Sequence, residues 1–150
     1  MRTLAVVDTS ALIAAADRSE RLHRACVDVL RQPDLDLIIP VMVVAEAAYL
    51  VERRLGPVAE TAFIRGLSGF AIESPTAEDW PTIADVVERY ADLRIGTTDA
   101  SIAVLADRLG TDVVVTLDRR HFDVIRTAAG RPFHLLPGTR VVHEDAAPFG

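Results

Sequence analysis

The sequence predicts an α/β fold in which a central parallel sheet is flanked by helices on both faces. Three observations predict it. Short, solid apolar runs such as Leu4–Val7 and Val113–Leu117 have the character of strands buried on both sides. Stretches of helical periodicity separate these runs, as in Leu22, Ala25, Cys26, Val29 and Leu30. A length of 150 residues suits one domain, and no internal repeat, low-complexity tract or linker divides it.

Taken in order, Leu4–Val7 forms the first strand and ends at Asp8, with a helix expected from about Ser10. An amphipathic helix covers 21–31 until Pro33 and Asp34 break it, and Leu37–Ile39 is the second strand. Pro40 opens a strongly apolar helix that Gly56 and Pro57 stop after Leu55. The next helix runs from Val58 to Leu67, and Phe70–Ile72 is a short strand. Thr76 followed by Asp79 has the form of a capping box, starting a helix with Trp80, Ile83, Val87 and Tyr90 on one face. Thr97-Thr98-Asp99 is expected to cap a helix that reaches Leu109 and stops at Gly110. Val113–Leu117 is the clearest strand and ends at Asp118. A short helix near His121–Arg126 and a strand Phe133–Leu136 complete a domain over residues 1–137, and 138–150 read as a loose C-terminal tail.

Composition excludes several chemistries. All 16 basic residues are arginine, so a P-loop, Schiff-base catalysis and a phospho-receiver site, which each need a lysine, are ruled out. A single cysteine, Cys26, precludes an internal disulfide or a cysteine zinc cage. The four histidines, His23, His121, His134 and His143, show no ligand spacing. A formal charge of −6 argues against a generic polyanion binder. No apolar run is long enough to span a bilayer, and Asp8 interrupts any leader-like start, so a cytoplasmic protein is expected.

Most of the 22 acids sit among charged or turn residues; four do not. Asp8 and Asp118 each close an apolar strand, and Asp99 opens a helix whose next turns are wholly apolar. Glu46 lies within VMVVAEAAYLV, a segment apolar on every side and therefore expected to be buried. Each has an ordinary explanation. Asp8 and Asp99 could be helix caps, Asp118 could open a turn, and Glu46 could pair with Arg53 or Arg54 or stay neutral. Their conjunction points elsewhere, because strand ends and helix starts meet at one edge of a parallel sheet. Converging carboxylates repel unless cations occupy the space between them. Oxygen ligands without His or Cys select Mg²⁺ or Mn²⁺ over Zn²⁺, and such a site suits phosphodiester hydrolysis. Metal charge would also offset much of the −6 toward a nucleic acid, leaving Arg53, Arg54, Arg119, Arg120 and Arg126 as candidate phosphate contacts or as ordinary solvated surface.

Four segments, VVDTSALIAA, VVAEAAYLV, GTTDASIAVLADRLG and VTLDRRHF, together resemble the PIN-domain ribonucleases, specifically the VapC-type toxins of type II toxin–antitoxin pairs. The resemblance spans residues 4–137 and implies a Mg²⁺-dependent endoribonuclease, with Mn²⁺ as substitute, that cuts structured tRNA or rRNA loops. It further implies a homodimer inhibited by a small VapB-type antitoxin. By resemblance, Asp8 and Asp99 match the principal metal ligands, Asp118 the further acid, and Glu46 the helix acid that holds metal or water, while Thr9, Ser10 and Thr116 support them. Two rivals remain: a catalytically silent RNA-binding or scaffold domain of the same fold, and a haloacid-dehalogenase-type phosphatase. The latter needs a second Asp where Ser10 stands. The apolar helices over 40–55 and 58–67 are expected to leave a groove for an amphipathic partner segment.

Overall fold

The computed structural model describes residues 1–138. Along them run β1 (Thr3–Val7), α1 (Thr9–Ala16), α2 (His23–Leu30), β2 (Leu35–Pro40), α3 (Val41–Leu55), α4 (Pro57–Gly66), β3 (Ala71–Glu73), α5 (Asp79–Arg89), α6 (Thr97–Leu109), β4 (Val113–Val115), α7 (Arg119–Phe122) and β5 (His134–Leu136). The expected tail beyond Gly138 lies outside the described residues.

The strands form one sheet in the order β3-β2-β1-β4-β5, and every pairing is parallel. Ala5, Val6 and Val7 are each 0% exposed. Because successive strand residues point to opposite faces, this central strand is covered on both sides, as its unbroken apolar run predicts. The chain lays β2 and β3 on one side of β1, then returns to add β4 and β5 on the other. That reversal falls between β1 and β4, and ligands of parallel sheets sit beyond the carboxyl ends of the strands at such a point. Asp8 N donates to Val115 O across 2.9 Å, so the chain leaves β1 and β4 side by side there.

Three local expectations are corrected. α3 buries only Val43, Ala47 and Val51, a one-sided i, i+4, i+8 stripe, and leaves Val41, Ala45, Glu46 and Tyr49 exposed. The helix is apolar all round without being buried all round, because it packs on β2, α1 and α4 with one face alone. On α5 the inward face is Asp79, Ile83, Val86 and Val87, and Trp80 is turned out to solvent. Asp79 is buried there with an Arg108 guanidinium at 3.0 Å and the Thr76 N–H at 2.8 Å. Burial opposes its charge, but those two partners prevail and hold its pKa below the usual carboxylate value. The Thr76–Asp79 pair is thus half of the expected capping box, with the acid accepting from the earlier backbone. Third, the N-cap of α6 is Gly96, with no side-chain cap bond, so none of Thr97, Thr98 or Asp99 caps the helix. Gly110 ends α6 as expected, in a left-handed conformation (φ 75°) that glycine adopts without steric penalty. Among the described residues no helix is long and apolar enough to cross a membrane.

Candidate active site

Asp8 begins the site. It is both the last residue before α1, where its Oδ1 accepts from Thr9 N at 2.7 Å, and the residue that leaves β1 at the switch point. Its other oxygen accepts from Thr116 Oγ1 at 2.7 Å and Ser10 Oγ at 3.1 Å. These two hydroxyls also stitch the β4 edge in place: Thr116 Oγ1 accepts from Asp118 N, and Ser10 Oγ from Leu117 N, both at 2.9 Å. Ser10 therefore holds the end of β4 instead of supplying the second acid that a haloacid-dehalogenase phosphatase needs. Asp8 is 3% exposed, and each of these donors is neutral. Burial raises its pKa from 3.8 to about 6, the Asp99 charge adds to the rise, and the three hydrogen bonds oppose it. A carboxylate buried this way without a cation is costly to ionise.

Asp99 and Asp118 face one another from α6 and from the turn after β4. Since Gly96 is the cap, the Asp99 side chain is free of the helix end and reaches across to α7. Nδ1 of His121 lies 2.8 Å from Asp99 Oδ2 and 3.5 Å from Asp118 Oδ2. Asp118 precedes α7 without capping it through its side chain. Burial pushes the Asp99 pKa up, the His121 bond pulls it down, and the charges of Asp118 and Glu46 raise it again. His121 corrects the expectation that no histidine had ligand spacing. The signal was present in the sequence as Asp118 and His121 three apart, which a short helix after a strand end puts on one side.

One cleft of about 500 Å³ is lined by Asp8, Glu46, Asp99 and Asp118, together with Thr9, Ser10 and the α6 start from Gly96 to Thr98. Glu46 reaches it from the exposed face of α3, not from a buried helix. The uncapped N-terminus of α6 presents unpaired N–H groups and positive dipole charge, which favour an anion. Thr9 Oγ1, buried beside Asp8, has no hydrogen-bond partner among the described residues. Arg54 lines the cleft and pairs with Glu20 at 3.8 Å, and among the described residues no ion pair of the kind one alternative supposed joins Arg53 or Arg54 to Glu46. The other candidate cations are not gathered there: Arg119 pairs with Asp123, Arg126 bonds the Asp123 carbonyl, and Arg53 and Arg120 are exposed. Asp99, Asp118 and His121 offer one ligand atom each within 4.8 Å of one another. That donor set fits a divalent cation.

Comparisons with known proteins bear on the family and the fold. Residues 5–127 match the PIN domain. The chain is 41% identical over 134 residues to Ribonuclease VapC26 of Mycobacterium tuberculosis, covering 88% of this chain and 99% of that protein. Among solved structures it resembles the M. tuberculosis VapC20 toxin, described as cleaving the sarcin-ricin loop (TM-score 0.69, 21% identity, 76% of this chain and 89% of that one). It also resembles VapBC2 of Rickettsia felis bound to a promoter DNA fragment (TM-score 0.66, 17% identity, 89% and 98%). At those identities the solved structures bear on the fold alone, whereas the residues matched and the curated relative together settle the family: this chain belongs to the PIN-domain family.

Proposed function

We propose that this protein is a divalent-metal-dependent endoribonuclease, the toxin of a toxin–antitoxin pair, acting on a structured RNA loop. The observation that carries the reading is the convergence of Asp8, Glu46, Asp99 and Asp118 on one cleft at the sheet's switch point, with no arginine bound to Asp8 among the described residues. A structural role would pair such acids, as Arg108 pairs the buried Asp79. A silent RNA-binding domain would have no use for four acids that repel its ligand. Kinship with a named ribonuclease supports the same activity.

Asp99 and Asp118 would hold the cation, Mg²⁺ or Mn²⁺, with Asp8 and Glu46 completing its surroundings. When bound, it supplies Lewis acidity toward the scissile phosphate and toward water. The chain's own residues do the rest. Thr116 and Ser10 orient Asp8, and the α6 N-terminus draws the phosphate into the cleft. Arg54 at the rim is the candidate phosphate contact best placed to position the RNA backbone. An RNA substrate carries a cytoplasmic location with it.

For the partner, an apolar groove of about 410 Å³ lies between Leu12 and Ala15 of α1, Leu30 of α2, and Ala62 and Phe63 of α4. Its shape suits an amphipathic helix of a small antitoxin, and solved relatives include toxin–antitoxin complexes. α3 does not line it; the exposed Val41, Tyr49 and Leu55 of that helix support pairing with a second copy instead.

The test is cleavage of structured RNA by purified protein with Mg²⁺ or Mn²⁺, with EDTA, and with Asp99→Asn. Cleavage that needs the metal and falls to background in the variant is expected. Full activity in EDTA or in Asp99→Asn ends the reading.

A further inference from the structure

We propose that His121 is a nitrogen ligand of the metal centre, making it a mixed oxygen–nitrogen site that prefers Mn²⁺ to Mg²⁺. This rests on the metal-dependent reading above and adds the identity of a donor that four carboxylates alone would not supply.

The geometry carries it. Metal–ligand bonds of about 2.1 Å at right angles set adjacent donor atoms about 3 Å apart, and opposite donors about 4.2 Å apart. His121 Nδ1 stands 2.8 Å from Asp99 Oδ2 and 3.5 Å from Asp118 Oδ2. Asp99, Asp118 and His121 each bring one donor atom to within 4.8 Å of the others, close enough for a small inward shift to bring them round one ion. The imidazole is held for this by its element. Phe122, its neighbour on α7, is 0% exposed and packs edge-on against Phe133 with ring centroids 6.3 Å apart, which anchors the short helix to the core. His121 itself is largely covered, at 15% side-chain exposure, so its ring has little freedom to leave the carboxylates. A purely structural histidine would need only one acceptor; this nitrogen lies toward two acids that repel each other and are themselves directed into the cleft. Beside them, the buried Thr9 hydroxyl lacks any protein partner among the described residues and lines the same cleft.

The chemistry follows from the donor set. Mg²⁺ takes oxygen almost exclusively and dehydrates reluctantly, whereas imidazole nitrogen suits the later divalent ions, and Mn²⁺ accepts both kinds of donor. Replacing one oxygen position by nitrogen therefore shifts preference away from Mg²⁺.

The experiment uses full-length, metal-stripped protein as wild type, His121→Ala, His121→Gln and Asp99→Asn. Two readouts are taken: Mn²⁺ and Mg²⁺ affinities by calorimetry, and pulsed electron paramagnetic resonance of the Mn²⁺-loaded protein for ¹⁴N coupling. Wild type should show nitrogen coupling that both His121 variants lack, and their Mn²⁺-over-Mg²⁺ preference should fall by about tenfold. His121→Gln keeps a donor for Asp99, so a fold that depends on that hydrogen bond survives in it. The wild-type spectrum decides even if neither variant folds: Mn²⁺ bound without nitrogen coupling overturns the proposal. Equal losses for both ions also overturn it, since they mark a residue that only positions Asp99. If Asp99→Asn binds Mn²⁺ as tightly as wild type, the metal centre itself is wrong and the nitrogen falls with it.

Discussion

At the scale of single residues, two buried aspartates show how the same side chain acquires opposite roles. Asp79 is buried beside Arg108 and its pKa is lowered; Asp8 is buried among neutral donors and its pKa is raised to about 6. For Asp8 the folded state binds a proton more tightly than the unfolded chain. Its contribution to stability is therefore complete below about pH 4 and is lost as pH rises through about 6. At neutral pH the loss is on the order of 2–3 kcal/mol in the metal-free protein. Metal-free Asp8→Asn, which cannot ionise, should melt at or several degrees above wild type at pH 8, and the gap should narrow by pH 5 and close only below about pH 4. A difference in melting temperature that does not change between those pH values would show that Asp8 is not buried as a strained anion. Thr9, Ser10 and Thr116 were legible as neighbours of the acid in sequence or strand order, but their actual work was not. The serine and threonine hydroxyls each join Asp8 to the backbone after β4, more than a hundred residues away.

At the scale of elements, most boundaries could be read directly, because Pro, Gly and solid apolar runs act locally. α3 is the instructive failure. Its composition predicts burial on every side, yet exposure is set by how many neighbours a helix has, and α3 has them on one side. That is why Glu46 reaches the cleft from an exposed face. The groove beside α4 likewise differs from expectation in its walls, α1 and α2 taking the place expected of α3. The partner prediction belongs here. Ala62 is exposed in this groove and away from the cleft, so Ala62→Glu should fold normally, retain RNA cleavage, and lose co-purification with a co-expressed VapB-type antitoxin. Undiminished co-purification would move the docking site elsewhere.

For the whole molecule, four acids converge because the order of strand addition reverses between β1 and β4. The convergence links metal binding to global stability. A cation bound only by the folded state, at about 100 times its dissociation constant, adds about 2.7 kcal/mol. For a chain of this size that is a rise of roughly 5–10 °C in melting temperature. Saturating Mn²⁺ should produce such a rise in wild type and almost none in Asp99→Asn; equal shifts in both would place the ion elsewhere. The sequence by itself determined the strand and helix order, the parallel sheet and the four exceptional acids, since each depends on local periodicity and on residues that close an element. It could not determine that His121 would join them. Helix α7 spans only Arg119–Phe122, too short to announce a face by periodicity, and its direction is set by Phe122 locking into the core against Phe133. Only the tertiary structure, by laying β4 beside β1 between α6 and α7, brings that histidine, 22 residues further along the chain, to Asp99.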